Sequence, residues 1–247
     1  MALFEARGIH KRFGHQVVLE RIDLGFESGQ LSGIMGPNGA GKTTCFNVLT
    51  GLYKPDRGQV VLAGEDITGL APDAIARKGI ARSFQIMSLF DEYSALENLL
   101  IALPEVRERG FTMMNRLDSD SAAADRASTV LARVGLAGRE RHRAGDLAYG
   151  ERRALEIGVA LAAEPRLLFL DEPTSGLSAK ATAGLAELVQ GLKRDYSIVV
   201  IEHDMQFLFG LADTISVIHW GQVIASGAPE ALRENKWVRR SMLGGKA

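Results

Sequence analysis

The stretch GPNGAGKT, Gly36 to Thr43, follows the apolar run LSGIM and leads into KTTCFNVLTGL, and few folds accommodate that order of elements. A glycine, four residues, then Gly-Lys-Thr between a strand and a helix is the pattern of a loop that wraps phosphate oxygens. Gly36, Gly39 and Gly41 let the backbone turn tightly, so that N–H groups point inward beside the positive end of the following helix. Pro37, Asn38 and Ala40 complete the loop. Lys42 is placed to neutralise β- and γ-oxygens, Thr43 to offer its hydroxyl to Mg²⁺, and Thr44 to bond a neighbouring phosphate. The competing explanation is a chance glycine-rich turn, which would not require the strand before it or the helix after it. Cys45 and Phe46, just inside the helix, are expected to be buried and are given no chemistry.

Further along, LLFLD (167 to 171) and SIVVI (197 to 201) are near-continuous apolar runs, which predicts strands covered on both faces in an α/β core. VVLERIDLGF (17 to 26) and the pair TISVIHW and QVIASG, joined through Gly221, read as antiparallel strands. From about 86 to 163 strand signals disappear. Ala123, Ala127, Val130, Leu131 and Val134 recur at helical spacing there, so the segment reads as a helical insert in the core. The basic run GRERHRAGD (138 to 146) reads as a solvated loop.

Two further strand ends carry chemistry. Asp171 and Glu172 close the LLFLD strand, at the carboxyl edge where open α/β sheets bind ligands. Adjacent side chains point different ways, which suits Asp171 to a metal's water shell and Glu172 to polarising an attacking water. His203, after SIVVIE, can donate to a γ-phosphate and hold that water in line. Each alone is weak, since acidic turns and satisfied histidines are common; three strand ends aimed at one place strengthen all of them.

Charge is balanced, 29 Lys plus Arg against 30 Asp plus Glu, which gives no basis for a nucleic-acid partner. One cysteine and no Cys/His spacing fit a reducing cytoplasm. The opening MALFEARGIHKRFG lacks the apolar core of a leader, and the apolar runs are too short to cross a bilayer. Any transport path is therefore expected on other chains.

These residues together resemble the ATP-binding subunits of ABC transporters over nearly the whole chain. Gly36 to Thr43 matches the Walker A motif and Leu167 to Glu172 the Walker B; Gln85 matches the Q-loop glutamine and His203 the switch histidine. The resemblance implies that Gln85 approaches metal and water, that Thr43, Gln85 and Asp171 serve Mg²⁺, and that Phe13 stacks on adenine. The signature segment, usually LSGGQ, reads Leu147, Ala148, Tyr149, Gly150, Glu151, and Ser178 stands where an Asp is common. Losing the Ser hydroxyl at 148 removes a bond worth about 1.5–3 kcal/mol.

The implied fold is a P-loop NTPase core with an antiparallel β subdomain, residues 1–85 and 164–247, and a helical subdomain, 86–163, together one ABC ATPase domain. The implied working unit is a homodimer or heterodimer in which each ATP is capped by residues 147–151 of the other subunit. Transmembrane permease subunits and, indirectly, a solute-binding protein are the implied partners, on the cytoplasmic face of the membrane. YGERR, ARSFQIMSLFDEYSALENLLIA and IEHDM resemble the ATPases of branched-chain amino acid and urea importers. Phe90 and Leu96 are candidates for a coupling-helix groove, or for plain core packing. Two alternatives stand beside this reading: a soluble ABC-type ATPase acting on nucleic acid or ribosomes, disfavoured by the lack of a second cassette or long coiled coil, and a regulator that binds without hydrolysing, suggested by Ala148 and Ser178.

Overall fold

Strands that are apolar almost throughout must be covered on both faces, and the computed structural model, which describes residues 2–83, 89–108 and 121–238, covers them that way. β1 (Phe4–Phe13) and β2 (Gln16–Phe26) form an antiparallel hairpin; β3 (Leu31–Met35) then leads through the glycine-rich loop into α1 (Lys42–Leu49). β4 (Arg57–Leu62), β5 (Glu65–Asp66), α2 (Pro72–Arg77) and β6 (Ile80–Arg82) follow. Next come the helices α3 (Ala95–Ala102), α4 (Pro104–Glu108), α5 (Ser121–Arg133) and α6 (Tyr149–Leu161). β7 (Leu167–Asp171), α7 (Ala179–Leu192), β8 (Ser197–Ile201), α8 (Met205–Leu211), β9 (Thr214–His219), β10 (Gln222–Gly227) and α9 (Pro229–Glu234) complete the order.

The sheet runs β5-β4-β1-β2-β10-β9-β3-β8-β7-β6. β9, β3, β8, β7 and β6 are parallel neighbours, whereas β1, β2, β4 and β5 pair antiparallel. β9 belongs to both patterns, antiparallel to β10 and parallel to β3, so the C-terminal hairpin extends the central sheet. Strand alternation sorts the core into two layers. Leu168, Leu170, Ile198 and Val200 face the helices α3, α5, α6 and α7, while Leu167, Phe169, Val199 and Ile201 face α1 and the β1–β2 hairpin. On that second side Phe169 meets Phe4, Phe26 and Phe46 edge-on, with ring centroids 5.6–6.1 Å apart.

Between β6 and β7 no strand occurs among the described residues. Ala123, Ala127, Leu131 and Val134 are buried and Val130 partly so, in keeping with their spacing. A reciprocal capping box sets the start of α3: Glu97 N–H donates to Ser94 Oγ, and Ser94 N–H to the Glu97 carboxylate. The basic run at 138–146 is largely exposed, with Arg139 paired to Glu151 and Arg143 to Glu92. α2 and the short strands β4 to β6 have no counterpart among the elements expected from the sequence.

The β9–β10 connection consists of Trp220 and Gly221, both left-handed at φ 48° and 72°, as tight hairpins require. Gly221 also binds two neighbours: its N–H donates to Ala40 O in the phosphate loop (3.1 Å), and its carbonyl accepts from Glu20 N–H (3.0 Å). A Cβ there would lie 2.3 Å from Val18 O. Gly221→Ala is therefore expected to destabilise the chain by about 2 kcal/mol or more. Gly64→Ala, left-handed but in open space, should cost about 1 kcal/mol or less. Urea unfolding of the two variants checks the difference.

Candidate functional site

The parallel order brings the carboxyl ends of β3, β7 and β8 side by side, so three loops distant in sequence open at one edge of the sheet. Gly36 leaves β3 so close to the next strand that a Cβ would sit 2.2 Å from Ile218 O, and only glycine allows the loop to begin there. Gly41, at φ 101°, caps α1. Asn38, Gly39 and Thr43 are exposed, Pro37 and Thr44 half-buried, and Ala40 and Lys42 buried.

Lys42 folds back along the loop, its Nζ donating to Gly36 O (2.8 Å) and Pro37 O (3.0 Å). Burial pulls its ammonium below the usual lysine range, opposed by the negative charges of Glu172, Asp171 and Glu202. Those acids form the facing wall. Asp171 is buried at the end of β7, with its N–H on Ser83 Oγ (3.3 Å). Burial pushes its carboxyl up from 3.8 to about 6, the Glu172 charge adds to the rise, and Arg82 and Arg153 resist it. Glu172 takes a left-handed backbone, φ 43°, with its N–H on Ile201 O (2.8 Å). His203 Nδ1 lies 3.9 Å from Glu172 Oε1 and 3.6 Å from Glu202 Oε2.

Lys42, Asp171, Glu172 and His203, far apart in sequence, thus meet at one edge. The loop, the acidic pair and the histidine present a cation, two carboxylates and an imidazole around glycine-turned backbone, the donor set that suits a phosphate chain with a divalent cation. Phe13, at the end of β1, is half-exposed and packs edge-on against Tyr53 at 5.3 Å. Gln85 lies outside the described residues.

Leu147 to Glu151 open α6. Leu147 is buried, Ala148 and Tyr149 exposed. Ala148 is the N-cap, and the Glu151 carboxylate accepts its N–H (3.0 Å) while pairing with Arg139, half of a capping box whose other half an alanine cannot supply. Ser178 caps α7, its Oγ accepting from Ala181 N–H at 3.4 Å.

Four residues to which the sequence assigned no role hold this edge together. Glu202 has no exposed surface and accepts from the Thr174 N–H and hydroxyl and from the N–H groups of His203 and Asp204. Arg82 reaches Thr50 Oγ1 (2.9 Å) and lies over the Phe46 ring. Ser83 carries the Asp171 bond, and Arg153 binds the backbone after β7. Glu202 and Arg153 sit beside charged or polar neighbours in sequence, which reads as solvent-facing; no pattern marks them as buried.

The chain matches the ABC transporter family over residues 19–175. It is 40% identical over 249 residues to the high-affinity branched-chain amino acid transport ATP-binding protein LivG of Escherichia coli K12, covering 98% of each chain. To BraF of Pseudomonas aeruginosa, described in the same words, it is 40% identical over 250 residues, again covering 98% of each. Its backbone superposes with a TM-score of 0.87 on MJ1267, an ATP-binding cassette of an ABC transporter in its ADP conformation; that structure is 29% identical, and the match covers 99% of this chain and 100% of the other.

Two outcomes follow from the geometry. Because the Asp171 pKa is raised, the folded chain is favoured while that group is protonated, below about pH 4, and loses the benefit as pH rises through about 6. Asn does not titrate. Without nucleotide or metal, the stability of Asp171→Asn relative to the parent should therefore rise by roughly 3 kcal/mol between pH 4 and 7 and level off above. Urea unfolding across that range measures it. Ala148→Ser should complete the capping box and add about 1 kcal/mol, read in the same assay.

Proposed function

The chain belongs to the ABC transporter family of ATP-binding proteins, and from that premise we propose that it hydrolyses ATP to drive uptake of branched-chain amino acids through separate membrane subunits. The substrate rests on full-length identity to LivG and BraF. The chemistry rests on one observation, the meeting of Lys42, Asp171, Glu172 and His203 at the edge where the glycine-rich loop opens.

Backbone N–H groups of the glycine-rich loop and the start of α1, together with the Lys42 ammonium, hold the phosphate chain of ATP, with Phe13 against the adenine. Thr43, Asp171 and Gln85 are the residues that would hold Mg²⁺, which when bound would supply neutralising positive charge for the phosphate chain. Glu172 takes the proton from a water as its oxygen bonds the γ-phosphorus; the bond from γ-phosphorus to the bridging oxygen breaks, and ADP keeps that electron pair. His203 steadies the water and the γ-oxygens. Leu147 to Glu151 of a second subunit close over the nucleotide, so two chains, identical or related, form two composite sites.

No helix among the described residues is long and apolar enough to cross a membrane, which supports placing the solute path in permease subunits, with this chain docked on their cytoplasmic side and a solute-binding protein further off. Half-exposed Phe90 lines a groove of about 450 Å³ with Ile75, Arg82 and Ile101, a surface that suits a permease helix. Leu96 packs instead on the helical core.

Glu172→Gln keeps the size of the side chain but gives up the base. It is expected to bind ATP as the parent does, to accumulate as a nucleotide-bound dimer in size-exclusion chromatography, and to lose about 10²–10⁴-fold in phosphate release. Hydrolysis at the parental rate would defeat the assignment.

A further inference from the structure

Glu172 is held in a left-handed backbone conformation, φ 43°, that a residue with a Cβ resists. Its N–H donates to Ile201 O and its carbonyl accepts from Ser175 N–H, and α6 of the same chain adds a further hold. Arg153, one turn into α6, is 1% exposed. Its Nη1 donates to the buried Glu156 carboxylate (2.7 Å), which balances its charge. The rest of the guanidinium faces the backbone after β7: Nη2 donates to Glu172 O (3.1 Å) and Nε to Pro173 O (3.1 Å). Four residues earlier, on the same face of the helix, the Tyr149 hydroxyl donates to Ser175 O (3.3 Å), and its ring lies over Gly176 so closely that a Cβ there would be 3.0 Å from Tyr149 Oη.

We infer that Arg153 is a positioning residue for Glu172: its planar fork grips two successive carbonyls and so ties the aim of the carboxylate to the orientation of α6. Tyr149 is the second anchor of the same loop. The inference rests on Glu172 being the group that polarises water. Arg153 is too buried to touch nucleotide, so it acts on hydrolysis through the loop it binds and through the charge it sets near Asp171; Arg153→Lys keeps that charge and isolates the loop. Lysine cannot replace it, because a single ammonium lacks the fixed fork that reaches both carbonyls. The helix so tied begins with the segment proposed to close over the partner's nucleotide, so a movement of α6 on closure reaches the carboxylate of its own chain.

The test uses the full chain and removes the buried pair as a unit, Arg153→Met with Glu156→Leu, because deleting one charge leaves the other uncompensated. The expected variant has a parental thermal midpoint and ATP Kd, an unchanged KM, and a kcat at least about tenfold lower, the scale of a misplaced reacting group. Arg153→Lys, which keeps the charge opposite Glu156, should show the same split of kcat from KM and carries the test if the double variant fails to fold. In a Glu172→Gln background neither change should lower the residual rate further. Folded variants with parental kcat, or a loss that persists undiminished in the Glu172→Gln background, would overturn the inference. Parental hydrolysis in Glu172→Gln alone would instead overturn the reading of the site, so the two failures are told apart.

Discussion

Charged groups leave water only where other charges or aligned dipoles replace it, and this chain gathers that cost in one place. Among the described residues the buried charged side chains are Lys42, Arg153, Glu156, Asp171 and Glu202, and all of them stand at the carboxyl edge of β3, β7 and β8 or on the helix packed against it. Each has its compensation. Lys42 has two loop carbonyls, Arg153 has Glu156 and two more carbonyls, and Glu202 has three backbone N–H groups and a hydroxyl. Asp171 has the charges of Arg82 and Arg153, which offset its burial only in part, and its carboxyl is pushed to about 6. A positive charge brought to that edge would favour the ionised form of the Asp171 carboxyl.

The parts legible in the sequence are those whose physics is local. The glycine-rich loop is contiguous, and LLFLD and SIVVI announce buried strands by being apolar almost end to end. The periodic alanines of α5 announce its buried face. The stretch from Arg57 to Arg82 was not legible: β5 has two residues and β6 three, too few for any periodicity, and β6 exists because β7 offers it a parallel partner. Arg153 was not legible for another reason. In YGERRALEIG it follows Arg152, and adjacent arginines near a helix start read as solvated; only the fold shows that Arg152 pairs with Asp91 near the surface while Arg153 turns inward.

The departures from the family pattern also change meaning once packed. Alanine at 148, tyrosine at 149 and serine at 178 read in sequence as a weaker grip between two subunits. In the fold, two of the three are engaged within the chain. Tyr149 hydrogen-bonds the loop after β7, and Ser178 caps α7 with an oxygen that serves as an aspartate would. Tyr149 and Ser178 thus contribute to the rigidity of the chain's own half of the site, beside the intersubunit role proposed for the start of α6.

Rigidity and exposure divide the site in a way that bears on how it works. Lys42, Glu202 and Arg153 are buried with their side chains bonded to their surroundings, so their geometry is set before any ligand arrives, and Asp171 is buried beside them; Asn38, Gly39, Thr43, Tyr149, Ser175 and His203 face solvent. A pre-organised wall lowers the reorganisation cost of the chemical step, but an open one leaves water free to screen the charges that drive it. Full effect requires a second surface that covers the exposed side. Among the described residues the segment at the start of α6 combines exposure with a bonded link to Glu172, so in the paired assembly proposed above the same helix would exclude water from one site while setting the carboxylate of the other.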